Sequence, residues 1–112
     1  MLDLEKKVKL CELFDYYGKL LTQKQQEIFE LYYLQDLSLY EIAEELKISR
    51  QGARDAIVKA ENLLVDFEKK CGFAQKSNFA KQQLLKLEQT LNANDGLQVE
   101  IIKNIHDIIN KL

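Results

Sequence analysis

Residues 37–59 read LSLYEIAEELKISRQGARDAIVK, and they predict two helices joined by a short turn. Ser38 occupies an N-cap position and Glu41 follows three residues later, which is the capping-box pattern that starts a helix. Ser49 occupies the same position before a second helix, and Lys47 begins the turn between the two. This spacing predicts a helix-turn-helix, the DNA-reading unit of many regulators, although an ordinary pair of helices in a bundle shows the same pattern.

Each predicted helix of this unit has one apolar side. The inner residues share helical spacing and are Ile42, Ala43 and Leu46 in the first helix, and Ala53, Ile57, Ala60 and Leu64 in the second. We expect Ala43 to lie where the two helices cross most closely, because a larger side chain there would push them apart. The second helix keeps its repeat through Phe67 and Cys71, so it continues to the stop signals Lys69, Lys70 and Gly72.

The remaining sequence predicts four more helices. The chain has no proline and only four glycines, a composition that favours helix throughout. The predicted helices are Leu4–Tyr17, capped by Asp3 and stopped by Gly18; Gln23–Leu34, capped by Thr22; a fifth capped by Ser77 or Asn78; and a sixth that carries the isoleucines 101 to 109 and Leu112. The turn NANDG, residues 92–96, makes a hairpin of the last two.

Apolar patterns also predict which side of the flanking helices is buried. For the first helix the pattern is Leu4, Val8, Cys11, Phe14 and Tyr17, and for the second it is Ile28, Phe29, Tyr32 and Tyr33. We interpret these aromatic residues as core, because base-stacking aromatics belong to strands in the common nucleic-acid modules. The fold class is therefore all-α, with a helix-turn-helix domain over residues 1–72 and a helical hairpin over 73–112.

The stretch from Leu20 to Leu64 resembles region four of bacterial sigma factors. The matching positions are Leu21, Gln25, Phe29, Leu31, Tyr33, Leu37, Ser38, Glu41, Ile42, Ala43, Leu46, Ile48, Ser49, Ala53, Ala60 and Leu64. Over nearly its full length the chain is similar to the small YlxM-like proteins, through FDYYGKLLTQKQQEIFELYYLQDLSLYEIAEEL followed by ISRQ. The resemblance implies a cytoplasmic bacterial protein with a sigma-like helix-turn-helix, linked by gene neighbourhood to the signal recognition particle pathway.

The predicted DNA-binding residues lie at the start of the second helix: Ser49, Arg50, Gln51, Arg54 and Lys59. Gln51 is suited to adenine and Arg54 to guanine, while Arg50 or Lys59 would hold phosphate. For each of these residues the alternative is a solvated surface side chain. The sequence also departs from the sigma pattern, since Lys47 replaces the turn glycine and Asp55 would face the phosphates with the wrong sign.

Charge is unevenly distributed along the chain. The formal net charge is −2, whereas DNA-binding domains are more often basic. Residues 21–46 contain one lysine and six acidic residues, and residues 47–70 contain six basic and four acidic residues. A mildly basic recognition segment beside an acidic flank still permits DNA binding, but weakly and in one orientation.

The sequence shows no pattern typical of an enzyme or a cofactor site. There is one histidine, His106, the two cysteines are 60 positions apart, and no glycine-rich phosphate loop is present. We expect no enzyme activity, no cofactor and no metal, and we interpret Cys11 and Cys71 as buried thiols. No apolar run reaches the ~20 residues of a membrane span and the start lacks a signal-peptide pattern, so we expect a cytoplasmic protein without membrane insertion.

The isoleucine-rich face of the last helix needs a surface to cover it. That surface is either the chain's own fourth helix or the same surface in a second copy. We expect a homodimer, because such a face is rarely left in water and two-fold symmetry suits paired DNA half-sites. The function expected from the sequence is a DNA-binding regulatory protein connected to the signal recognition particle pathway. The alternative is an interaction module that keeps the fold but binds a protein or ribonucleoprotein partner instead of DNA.

Overall fold

The computed structural model describes residues 4–93 and 99–111, and every regular element in those ranges is helical. The prediction of an all-α fold is confirmed. The helices are α1, Leu4–Tyr17; α2, Gln23–Phe29; α3, Leu39–Leu46; α4, Arg50–Cys71; α5, Phe73–Asn92; and α6, Val99–Lys111. A 3₁₀ turn, Gly18–Leu20, follows α1, and a π-helical turn, Glu30–Leu34, follows α2.

Side-chain caps fix where the two helices of the helix-turn-helix begin. The Ser38 hydroxyl accepts the Glu41 N–H at 3.1 Å, and the Ser38 N–H donates to the Glu41 carboxylate at 3.0 Å. Those Ser38 hydrogen bonds lower the pKa of Glu41. At the start of α4 the Ser49 hydroxyl accepts the Gly52 N–H at 2.9 Å. Both predicted caps are confirmed, and so is the Thr22 cap of α2.

The turn between α3 and α4 passes through a left-handed residue. Lys47 has φ 57° and ψ 46°, and the Ile48 N–H donates back to the Ala43 carbonyl at 3.0 Å. This geometry normally favours glycine, because the Cβ of any other residue crowds the following carbonyl. The strain expected from Lys47 in place of glycine is therefore present in the fold.

The inner side of α4 is the centre of the first compact unit, which ends at Gly72. Ala53, Ala60 and Leu64 are fully buried and Ile57 is 4% exposed, as predicted. This side of α4 packs against α1, α2 and α3. Its two alanines let the neighbouring helices approach closely, and Ile42 and Ala43 of α3 are buried in the same core.

An aromatic stack joins α1 to the end of α2 and to the π-helical turn after it. The Phe14 and Phe29 rings stack with centroids 4.4 Å apart, and Phe29 stacks on Tyr33 at 4.5 Å. Phe29 and Tyr33 are buried, so their interpretation as core residues is confirmed.

Two tyrosine hydroxyls reach from this core to glutamates of α4. The Tyr17 hydroxyl donates to the Glu68 carboxylate at 2.6 Å, and the Tyr33 hydroxyl donates to Glu61. Burial raises the pKa of Tyr33, and the hydrogen bond to Glu61 raises it further. These bonds tie α1 and the π-helical turn to one long helix.

The buried side of α1 differs from the prediction. Leu10, Leu13 and Tyr17 are buried, whereas Leu4 is 72% and Val8 60% exposed. The core covers only the last two turns of α1, so the apolar residues at its start lie beyond the surface that the other helices supply. The predicted Asp3 cap lies outside the described residues.

Three other sequence predictions are wrong in detail. The α-helix beginning at Gln23 ends at Phe29, because Glu30–Leu34 widens into a π turn closed by the Gln35 N–H on the Glu30 carbonyl at 2.9 Å. That turn buries Leu31 and leaves Tyr32 half-buried. Cys71 is exposed, at the end of α4.

The second compact unit begins at Phe73, where α5 starts. The predicted caps at Ser77 and Asn78 are wrong, because Gly72 alone turns the chain, at φ 68°, and the residues after it already favour helix. Within this unit α5 packs against α6, so the predicted hairpin is confirmed. Most of the predicted turn at residues 92–96 lies outside the described residues, as does Leu112.

The two helices of this unit bury only part of their apolar surface against each other. Ile105 is 7% exposed, and the His106 imidazole lies 2.8 Å from the Glu88 carboxylate. By contrast the exposed fractions are 66% for Phe79 and about half for Leu87, Ile101 and Ile108.

Replacing Lys47 with glycine should stabilise the protein by about 0.5–1 kcal/mol. The gain from relieving the left-handed strain exceeds the added chain entropy of the unfolded glycine. The matched control is Lys59→Gly in the exposed interior of α4, which should destabilise by about 1 kcal/mol. Urea denaturation of the full chain measures both, and a loss of stability in Lys47→Gly would contradict the strained turn.

Replacing Tyr33 with phenylalanine should destabilise the protein by about 1–3 kcal/mol, since Glu61 loses its donor in a partly buried place. Exposed Tyr40→Phe is the control and should cost less than about 0.5 kcal/mol.

The same pair predicts a specific pH dependence. The pKa of Tyr33 is higher in the folded protein than the value of about 10 in the unfolded chain. The stabilisation that Tyr33 provides is therefore complete below about pH 10 and is lost as the pH rises above it. Wild type should therefore lose stability more steeply above about pH 10 than Tyr33→Phe. Equal slopes in urea titrations at several alkaline pH values would contradict the assignment.

Candidate nucleic-acid interface

The outward side of α4 is fixed by what its inner side buries. With Ala53 and Ile57 in the core, the exposed residues opposite them are Gln51, Asp55, Val58 and Asn62. The first turns of this helix follow the Ser49 cap directly, so they stand beside α3 in the arrangement of a recognition helix.

The basic side chains lie on two sides of this surface. Arg50 and Arg54 are one turn apart on one shoulder of α4, and both are exposed. Lys59 lies about 140° further around the helix than Arg54, on the opposite shoulder. Lys47 lies outside α4, in the turn before it. The structure therefore brings Arg50 and Arg54 together but does not extend them into a continuous basic stripe with Lys59.

Gln51 and Asp55 form a pair at the middle of the outward side. The Gln51 Nε2 donates to the Asp55 carboxylate at 2.8 Å, across one turn of α4. The amide nitrogen is the donor that a bidentate contact with adenine requires. Gln51 would therefore have to release Asp55 before reading a base, and releasing a typical hydrogen bond costs about 0.5–1.5 kcal/mol.

Arg50 is held by an aromatic residue that sequence reasoning missed. Its guanidinium lies 5.1 Å from the centre of the Tyr40 ring, a cation–π distance. Tyr40 is on α3 and is 55% exposed, so the Arg50 head group bridges both helices of the unit at the surface. The sequence did contain a signal for this contact. Tyr40 is a large aromatic residue two positions after the Ser38 cap, on the helix that crosses the DNA backbone in this motif.

Ser49 serves first as a cap. Its oxygen accepts the Gly52 N–H, which leaves the hydroxyl proton to donate outward. The adjacent helix N-terminus also favours an anion through its unpaired N–H groups and its dipole.

Acidic residues are exposed on the elements that precede α4 in the chain. Glu27, Glu30, Glu41, Glu44 and Glu45 are all exposed on the elements before α4. Asp36 is also exposed, but its carboxylate pairs with Lys7 of α1 at 2.6 Å, a contact that raises the Lys7 pKa. The described part of the unit therefore presents a basic corner at Arg50 and Arg54 beside a negative flank.

Comparison with known proteins defines the family. Residues 4–110 match the model of UPF0122, the family of YlxM-like and p13-like helix-turn-helix proteins. The chain belongs to the UPF0122 family. A UPF0122 protein of Bacillus mycoides strain KBAB4 is 42% identical over 109 residues, covering 97% of this chain and 98% of its own length. UPF0122 proteins of Bacillus cereus strain AH187 and Bacillus anthracis strain A0248 are 41% identical over the same coverage.

Within residues 4–93 and 99–111, histidine, cysteine and acidic side chains form no group of three placed to hold a metal ion. In the same ranges, none of the helices has the length and apolar character that crossing a membrane requires.

Proposed function

We propose that this protein is a DNA-binding regulator that places the first turns of α4 in the major groove. The observation that carries the proposal is the capped start of α4: Ser49 fixes its first turn, the inner face is buried, and Gln51 and Arg54 face outward beside it. This is the arrangement by which a recognition helix brings its N-terminal side chains to base edges.

Each predicted residue has a role in this proposal. Arg54 donates to guanine O6 and N7, and Gln51 reads adenine after releasing Asp55. Arg50, steadied by Tyr40, holds a phosphate, and so do the Ser49 hydroxyl and Lys59. Asp55 opposes binding, because its carboxylate lies in the middle of the groove-facing side.

Asp55→Asn should strengthen DNA binding by roughly two- to fivefold, the effect of removing one exposed like charge of about 0.4–1 kcal/mol. Asparagine can still accept the Gln51 hydrogen bond, so only the charge changes. The matched control is Asp66→Asn, two turns or more from the proposed base contacts and paired with Lys70 at 2.9 Å, which should bind as wild type. Titrations use duplexes selected from a random pool by the full-length protein, at two salt concentrations.

Arg54→Ala should relax preference at a single base pair by about 1–3 kcal/mol, whereas Arg50→Ala should weaken binding to all sequences by similar factors. Lys69→Ala, on the exposed end of α4, is the control and should change neither. Affinity should fall with salt, but less steeply than for a strongly basic domain. If no sequence is enriched and Asp55→Asn binds as wild type, the DNA proposal is wrong.

A second candidate function is supported by the mixed charge of α4 and the acidic flank before it. We propose as the alternative an interaction module for a ribonucleoprotein, in line with the resemblance that links such proteins to the signal recognition particle pathway. Titration with purified signal recognition particle, its RNA alone and its protein alone tests this directly. Binding to the particle that survives Arg54→Ala, without selection of any DNA, would favour this candidate over the first.

We also propose that the protein acts as a cytoplasmic homodimer. The exposed Ile101, Ile108 and Phe79 of the second unit support the homodimer, because burying apolar side chains of this size against a partner is favourable in water. A two-fold dimer would present two copies of α4 to paired DNA half-sites.

A further inference from the structure

An apolar groove opens on the first unit, away from the proposed base-reading residues. Ile28 of α2, Leu46 of α3, Ile48 of the turn and Ala56 of α4 form its lining, with Lys24 and Glu27 among the polar side chains at its rim. Ile28 is buried as the floor, while Ile48 is 42% exposed. The groove therefore lies between α2 and the two helices of the helix-turn-helix.

Its size suits one large apolar side chain. The groove has a volume of about 200 Å³. A dry cavity of about 150 Å³ lined by aliphatic residues is enough to take up benzene in another protein. A phenylalanine or leucine side chain from a partner would fit.

The surroundings of the groove favour a basic occupant. Lys24 and Glu27 both line the groove, so their charges offset each other there. The helices that carry the lining are acidic as a whole, because α2 and α3 together have four glutamates and one lysine. All four glutamates are exposed. A helix that carried lysines around an aromatic anchor would match both the volume and the charge.

Helix α5 of this same chain has that composition. It carries three lysines and one glutamate, and Phe79 is its most exposed apolar residue, at 66%. At about 100° per residue Lys86 falls on the same stripe as Phe79, and Lys76 lies about 60° to one side. The α6 sequence has two lysines and two acidic residues, so it lacks the excess of positive charge that would attract it to an acidic surface.

We propose that the groove of each protomer receives Phe79 of α5 from a second copy, with Lys76 and Lys86 facing the acidic helices α2 and α3. The inference rests on the homodimer proposed above and names its interface. Since every copy has one groove and one α5, a two-fold axis satisfies both contacts and closes the assembly at two chains.

Sedimentation equilibrium of the full-length chain tests the interface. Phe79→Glu should weaken dimerisation about tenfold or more, the loss expected from one buried aromatic anchor. The matched control is Leu85→Glu, also an exposed apolar residue of α5 but about 120° from the Phe79 stripe and on the side away from Lys76, which should dimerise as wild type. Both positions are exposed, so the fold should tolerate both changes, as circular dichroism melts will show.

Isotope-filtered NMR identifies the contact itself. One chain carries ¹³C-methyl isoleucine in a deuterated background and is mixed with unlabelled protein. We expect intermolecular contacts from the Ile48 and Ile28 methyl groups to aromatic protons, and their loss when the unlabelled partner is Phe79→Glu. Because the labels are on different chains, contacts within one chain do not contribute.

The outcomes separate the two claims. A wild-type chain that stays monomeric at high micromolar concentration would overturn the homodimer and the interface together. A dimer that Phe79→Glu leaves intact, or that Leu85→Glu weakens equally, would retain the homodimer and overturn this interface. Contacts confined to α6 methyl groups would overturn it as well.

Discussion

The burial of one side of α4 is the constraint on which the rest of the first unit depends. Ala53, Ile57, Ala60 and Leu64 form an almost fully enclosed stripe, and α1, α2 and α3 all pack on this helix. Small side chains at two of the four positions allow this close packing from several directions. Once the inner side is fixed, the direction of every outward side chain on α4 follows, including the residues of the proposed DNA surface.

Polar contacts then limit rotation of α4 within that packing. Tyr33 and Tyr17 donate to Glu61 and Glu68, which are seven residues apart and so lie on the same side of the helix. Capping bonds at Ser49 add a third fixed point at the N-terminus of the helix. A DNA-reading helix needs this restraint, because rotation of α4 about its axis would move Gln51 and Arg54 away from the base edges.

Local patterns predicted most of the helix-turn-helix, because caps and helical periodicity depend on residues three or four apart. The caps at Ser38 and Ser49, the strained Lys47 and the buried stripe of α4 were all predicted on that basis. The buried side of α1 was not, since it depends on how far the other helices extend over it. Nor does sequence spacing reveal the long-range Lys7–Asp36 ion pair.

The sequence predicted which residues form the candidate site, but not which of their side chains contact each other. The sequence identified the exposed residues at the start of α4, yet not the Tyr40 ring beside Arg50 or the contact that engages the Gln51 amide. Both contacts depend on side-chain rotamers, which residue spacing does not determine. This surface therefore has a basic corner and a negatively charged centre, which suits modest, orientation-dependent binding better than tight non-specific binding.

The most direct test of the account is an amide NMR titration of the full-length protein with a selected DNA duplex. We predict that shifts concentrate at Tyr40 and across residues 49–59, with α5 and α6 unchanged, because the outward side of α4 and its neighbour on α3 would contact the DNA. Shifts confined to the hairpin, or none at saturating duplex, would contradict the claim that α4 is a recognition helix.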